Sequence, residues 1–139
     1  MCVCNSPGKE LTIAQHTLFL TELPEEQIKR RPIDSFFVSL AQEQKGNAIG
    51  IILSGTGTDG ALGLNEIKAA GGLAMVQDPE TAQFDGMPRS AIMAKVADCI
   101  LPPEKMPEQL LYYSKRKEKN KEQKDSQQPE VYEHNIKQI

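Results

Sequence analysis

Residues 48–77 read AIGIILSGTGTDGALGLNEIKAAGGLAMVQ. An apolar run (Ala48–Leu53) meets a glycine-rich turn (Ser54–Gly60). An amphipathic stretch follows over Ala61–Ala70, then the stop Gly71-Gly72 and a second apolar run, Leu73–Gln77. Neither run alternates polar with apolar residues, as expected of parallel strands covered on both faces. Glycine after the amphipathic stretch is a helix C-terminal signal. The pattern is strand, turn, helix, strand: a βαβ unit with parallel strands and Asp59 at the carboxyl end of the first. That is where open α/β sheets present their chemistry.

The remaining elements follow from punctuation and period. Leu11–Ala14 and Thr17–Thr21 flank Gln15-His16 as a small hairpin. Residues 23–31 read as connecting loop. Pro32 opens a helix, where its missing N–H costs nothing. Ile33, Phe36, Phe37, Leu40 and Ala41 form its apolar stripe, Asp34 suits its dipole, and Gly46-Asn47 ends it. Beyond Leu73–Gln77 come a polar loop (78–87), a short helix opened by Pro88, a short strand (97–101) and an amphipathic helix after Pro102-Pro103. The fold expected is α/β: a Rossmann-like, doubly wound, mainly parallel sheet, incomplete in this chain. Its domain is residues 1–113. Residues 114–139 form a polar tail or linker, either disordered or a solvated helix.

Composition narrows the function. The chain has 139 residues, enough for one domain. Net charge is −3, and no basic patch interleaved with aromatics exists, which argues against nucleic acid as a partner. Residues 1–113 carry 9 basic and 14 acidic side chains, residues 114–139 carry 7 and 5, so an acidic body ends in a slightly basic tail. No apolar run approaches the roughly 18 residues of a membrane span, and the start lacks the layout of a signal peptide. Cys2, Cys4 and Cys99 do not make a paired disulfide framework. Cys2-Val3-Cys4 lacks a second Cys/His pair to complete a metal site and reads as plain strand. The expected setting is a reducing cytoplasm, with no metal, no cofactor and no membrane insertion.

Three readings compete for Gly55-Thr56-Gly57-Thr58-Asp59-Gly60. In the first, Asp59 is a helix N-cap and the glycines permit the turn. In the second, Gly55, Gly57 and Gly60 match G-x-G-x-x-G, with Asp78 near the end of the next strand, and bind a dinucleotide. Against this, Asp59 would repel the pyrophosphate. The third is catalytic and rests on a resemblance. Residues 49–63 (IGIILSGTGTDGALG) resemble the signature of the chemotaxis protein-glutamate methylesterases, CheB, in the form fused to a CheR-type methyltransferase. Phe84-Asp85-Gly86-Met87-Pro88-Arg89-Ser90-Ala91 resembles the family's F-x-G-M-P-R-x-A segment. Residues 30–37 (RRPIDSFF) with Ser39-Leu40-Ala41 resemble a third block, and Arg31 departs from it. The resemblance covers about residues 2–113.

That resemblance implies a hydrolase of chemotaxis phosphorelay signalling. Serine, histidine and aspartate cleave γ-glutamyl methyl esters on the cytoplasmic domains of methylated chemoreceptors and release methanol. It places the aspartate at Asp59, where a carboxylate fixes the imidazole's tautomer. It places backbone support for the oxyanion at Thr56, with Gly57 beside it. The family's serine and histidine belong to an earlier segment, so this chain is expected to be a fragment, inactive unless another chain or segment supplies them. Local substitutes are unpromising. Ser54 has no nucleophile elbow, and His16 and His134 have no recognisable serine partner. The alternative function is a nucleotide-binding or interaction module using the Gly55–Gly60 turn.

Overall fold

The computed structural model describes residues 8–24 and 31–137, with residues 124–137 described by backbone alone. Cys2, Cys4 and most of the 23–31 connection lie outside the described residues. The elements run β1 (Lys9–Ala14), β2 (Thr17–Glu22), α1 (Pro32–Gln44), β3 (Ile49–Ile52), α2 (Ala61–Ala69), β4 (Leu73–Gln77), α3 (Gly86–Met93), β5 (Cys99–Leu101) and α4 (Met106–Lys137). The chain divides after Pro103 into two compact units.

In the first unit, β3, β4 and β5 form a parallel sheet in that order. The register Gly50↔Ala74 and Ile52↔Val76 aligns the small and branched residues of one face. Onto that face pack Leu64 and Ile67 of α2, Ala91 of α3 and Ala41 of α1, forming one core with Ala48 and Val96. The expected βαβ unit is therefore present, and Asp59 lies two residues before α2.

All five residues of β4 are buried, as a continuous apolar run predicts. β3 departs from that expectation. Its burial alternates, with Gly50 and Ile52 inside while Ile49, Ile51 and Leu53 remain half-buried or exposed. The cause is position: β3 is an edge strand of the described sheet, flanked by a neighbouring strand on one side only.

Helix termini explain several boundaries. α2 ends in a Schellman arrangement, with Gly71 N–H bonded to Lys68 C=O and Gly72 N–H to Ile67 C=O. α1 stops at Gln44 and passes into a 3-10 turn, Lys45–Asn47. α3 begins at Gly86, two residues before the expected Pro88, which is buried within the first turn, where a missing N–H is tolerated.

The β1–β2 hairpin is antiparallel and packs through β1 on α1. Both turn residues have positive φ, Gln15 at 51° and His16 at 60°. This is the type I′ geometry that tight hairpins favour and that most side chains resist. Glu43 of α1 holds it: the N–H groups of Gln15 and His16 donate to its two carboxylate oxygens at 3.0 and 2.7 Å. These bonds, His16's first, hold the Glu43 carboxyl below its usual carboxylate range.

In the second unit a single helix, α4, runs from Met106 to Lys137, so the polar stretch beyond residue 113 extends that helix. Its side chains are mostly exposed as far as they are described. No described helix is long and apolar enough to cross a membrane.

Candidate active site

The turn after β3 is held by the Phe84–Ala91 segment. Gly55 N–H donates to Phe84 C=O at 2.9 Å, and Met87 N–H donates to Gly55 C=O at 3.0 Å. Ser54 spends its hydroxyl on the same latch, accepting from Phe84 N–H at 2.9 Å. Its own N–H donates to Gln77 of β4 at 2.9 Å. The two most specific sequence blocks thus form one structural unit, and Ser54 is a fastener within it.

Asp59 caps a helix, but not its own. Its Oδ2 accepts the N–H of Ile33 and its Oδ1 the N–H of Asp34, both at 3.0 Å. These are the second and third residues of α1, whose N-cap, Arg31, makes no capping bond of its own. Such groups have no partner within the helix.

Asp34 returns the service. Its Oδ1 accepts from Gly60 N–H at 3.0 Å and from Gly63 N–H at 2.7 Å. Gly60 and Gly63 are the N-cap and third residues of α2. In an ordinary capping box the side chains at those two positions bond each other's amides. Here both are glycine, and a carboxylate from the neighbouring helix does both jobs. Gly60 has φ of 105°, and α1 approaches so closely that a Cβ on Gly63 would lie 2.6 Å from Phe37 Cβ. Arg31 closes the cluster, with Nη1 3.4 Å from Asp34 Oδ2 and Nη2 donating to Thr58 at 3.4 Å.

The N-capping reading of Asp59 therefore needs correcting in its partner: it caps α1, and Asp34 caps α2. The dinucleotide reading loses its anchor. The amides that would cradle a pyrophosphate at the α2 N-terminus already bind Asp34, a buried carboxylate.

Asp59 itself is half-buried. Each of its oxygens accepts one of these bonds and retains a second lone pair. Thr56 and Gly57, the other site candidates, lie exposed on the same turn, and Gly57 has φ of 89°. Among the described residues, neither donates its N–H to another group.

His16 is not beside them. Its ring faces Glu43 and Gln44 at the C-terminal end of α1. Asp59 caps the other end, about 15 Å away at 1.5 Å per residue. The side chain of His134 lies outside the described residues. No group of three His, Cys, Asp or Glu side chains among the described residues is arranged to hold a metal.

The site residues that sequence reasoning missed are Asp34 and Arg31. The available signal was glycine at both capping positions of α2, which leaves that helix unable to cap itself.

Comparison with known proteins agrees with the two motif blocks. A model of the CheB methylesterase family matches residues 2–110. A protein-glutamate methylesterase/protein-glutamine glutaminase of Burkholderia thailandensis is 40% identical over 98 residues, 70% of this chain and 29% of that protein. A putative enzyme of the same description from Leptospira interrogans is 43% identical over 103 residues, 73% of this chain and 53% of its own. The crystal structure of the Thermotoga maritima CheB methylesterase catalytic domain superposes with a TM-score of 0.65 at 33% identity. It covers 76% of this chain and 57% of that one. This chain thus spans less than two thirds of each of these relatives. With a family model matched along most of its length and its fold shared with a solved member, the chain belongs to the CheB methylesterase family.

Proposed function

We propose that this chain carries the aspartate-bearing part of a protein-glutamate methylesterase site, with Asp59 as the third member of a Ser-His-Asp triad. The observation that supports this most directly is the anchoring of Asp59 by two α1 amides with lone pairs still open. A carboxylate so fixed does not rotate, so it can set the tautomer of a neighbouring imidazole and stabilise the imidazolium. The serine oxygen attacks the γ-carbonyl carbon of a methylated receptor glutamate, methanol departs, and water hydrolyses the acyl-enzyme to free carboxylate. The N–H groups of Thr56 and Gly57, which donate to no other described residue, are the donors offered to the oxyanion. A γ-amide passes through the same acyl-enzyme, in keeping with the glutaminase activity in the relatives' names.

The serine and histidine come, in this reading, from another segment or chain. His16 stands at the wrong end of α1, and the edge position of β3 in the described sheet, with Ile49 and Leu53 exposed, offers that segment a seat. Alone, the chain turns over no ester. Mixed with the preceding segment of a relative's catalytic domain, it releases methanol from methylated cytoplasmic receptor domains. Asp59→Asn then lowers kcat by a factor on the order of 10⁴. Turnover by the chain alone, or undiminished turnover in Asp59→Asn, overturns the proposal.

A further inference from the structure

We infer that Asp34 is a positioning residue for Asp59, locking the turn that carries it through the reciprocal capping of α1 and α2. The inference rests on the functional reading of Asp59 for its purpose, though not for its test. Asp34 is 7% exposed and no catalytic chemistry is assigned to it. Its Oδ1 holds Gly60 and Gly63, the residue next to Asp59 and the third residue of α2. Its own N–H, together with that of Ile33, holds the Asp59 carboxylate. Its Oδ2 meets Arg31, whose other nitrogen reaches Thr58 on the same turn. One aspartate therefore touches the residues on both sides of Asp59 or their partners, and Asp59 cannot shift without breaking bonds at two helix starts. A side chain needed only to cap α2 has no reason to govern the Ile33 amide, which it does not touch.

Amide hydrogen exchange by NMR on the full chain separates these roles. Asp34→Ala should lower protection about tenfold or more at Gly60 and Gly63, since buried bonds to a carboxylate are lost. It should do the same at Ile33, whose acceptor Asp59 is chemically intact. Amides of β4 report global opening and should fall less. Asp34→Asn keeps an Oδ1 acceptor and should restore Ile33 protection to within about threefold. Ile33 protection unchanged in Asp34→Ala, with Gly60 and Gly63 lost, overturns the inference and leaves Asp34 a simple cap. If Asp34→Ala lowers β4 protection equally, Asp34→Asn decides: weakened Gly60 and Gly63 with Ile33 and β4 both unchanged also overturns it. Failure of the esterase proposal would leave this exchange result unaffected.

Discussion

Gly63→Ala sets helix propensity against packing, and the structure predicts which wins. Within a helix, alanine is favoured over glycine by about 1 kcal/mol, so the sequence of α2 alone predicts a stabilised protein. The new methyl would meet Phe37 Cβ at 2.6 Å, Asp34 Cα at 2.9 Å and the Asp34 carbonyl oxygen at 3.0 Å. Two of those atoms are backbone and the third is the stem of a packed side chain, so none yields by rotating. α1 must move away, at roughly 1–3 kcal/mol for an overpacked contact. As it moves, the Gly63 N–H to Asp34 bond of 2.7 Å lengthens, which costs about 1 kcal/mol more if the cap is lost. The net expectation is destabilisation by about 1–3 kcal/mol, read as a lower urea midpoint with unchanged m by circular dichroism. A variant as stable as the wild type or more so would refute the close approach of α1 and α2, and with it the cross-capping.

Two further outcomes follow from other parts of the fold. Glu43 has a lowered folded-state pKa because it binds the His16 and Gln15 amides; its contribution is present above the ordinary 4.5 and lost as pH falls through the lower folded value. Exchange at Gln15 and His16, corrected for intrinsic rate, should therefore rise as pH falls from 4.5 through the lower folded value, and in Glu43→Gln this step should vanish. Because Asp34 occupies the α2 amides, added NAD should not shift the melting temperature, and a saturable upward shift would revive dinucleotide binding.

The sequence made the βαβ unit legible because its signals are local. Apolar runs, the Gly71-Gly72 stop and Pro32 each act within a few residues of themselves. The fate of the Asp59 carboxylate was not legible for the opposite reason. Its partners, Ile33 and Asp34, lie 26 and 25 residues away, and those of Asp34 lie 26 and 29 away. An Asp two residues before a helix reads as that helix's own cap, and an Asp in a first turn reads as a dipole partner. Each description names the right interaction and the wrong helix. β3 misled through composition: six consecutive apolar residues indicate what a strand needs covered, not what the described residues supply.

The structural and catalytic readings of Asp59 are compatible once lone pairs are counted. A carboxylate has about four acceptor sites, and the α1 amides take two. Had Asp59 capped α2, its oxygens would turn back into its own helix and Asp59 itself would have no anchor on α1. By giving that work to Asp34, the fold leaves Asp59 pinned from α1 and half-buried at the carboxyl end of β3. Its charge also lies at the positive end of the α1 dipole, where a carboxylate is well placed. Under the proposed esterase role, the same two bonds that cap α1 also orient Asp59 toward an imidazole. On this account Asp59→Asn, which keeps one acceptor oxygen, separates the roles: α1 stays capped through that oxygen while the charge facing the imidazole is gone. Activity in the complemented enzyme should then fall by orders of magnitude while the urea midpoint changes little, and equal losses in both would mean that Asp59 serves the fold alone.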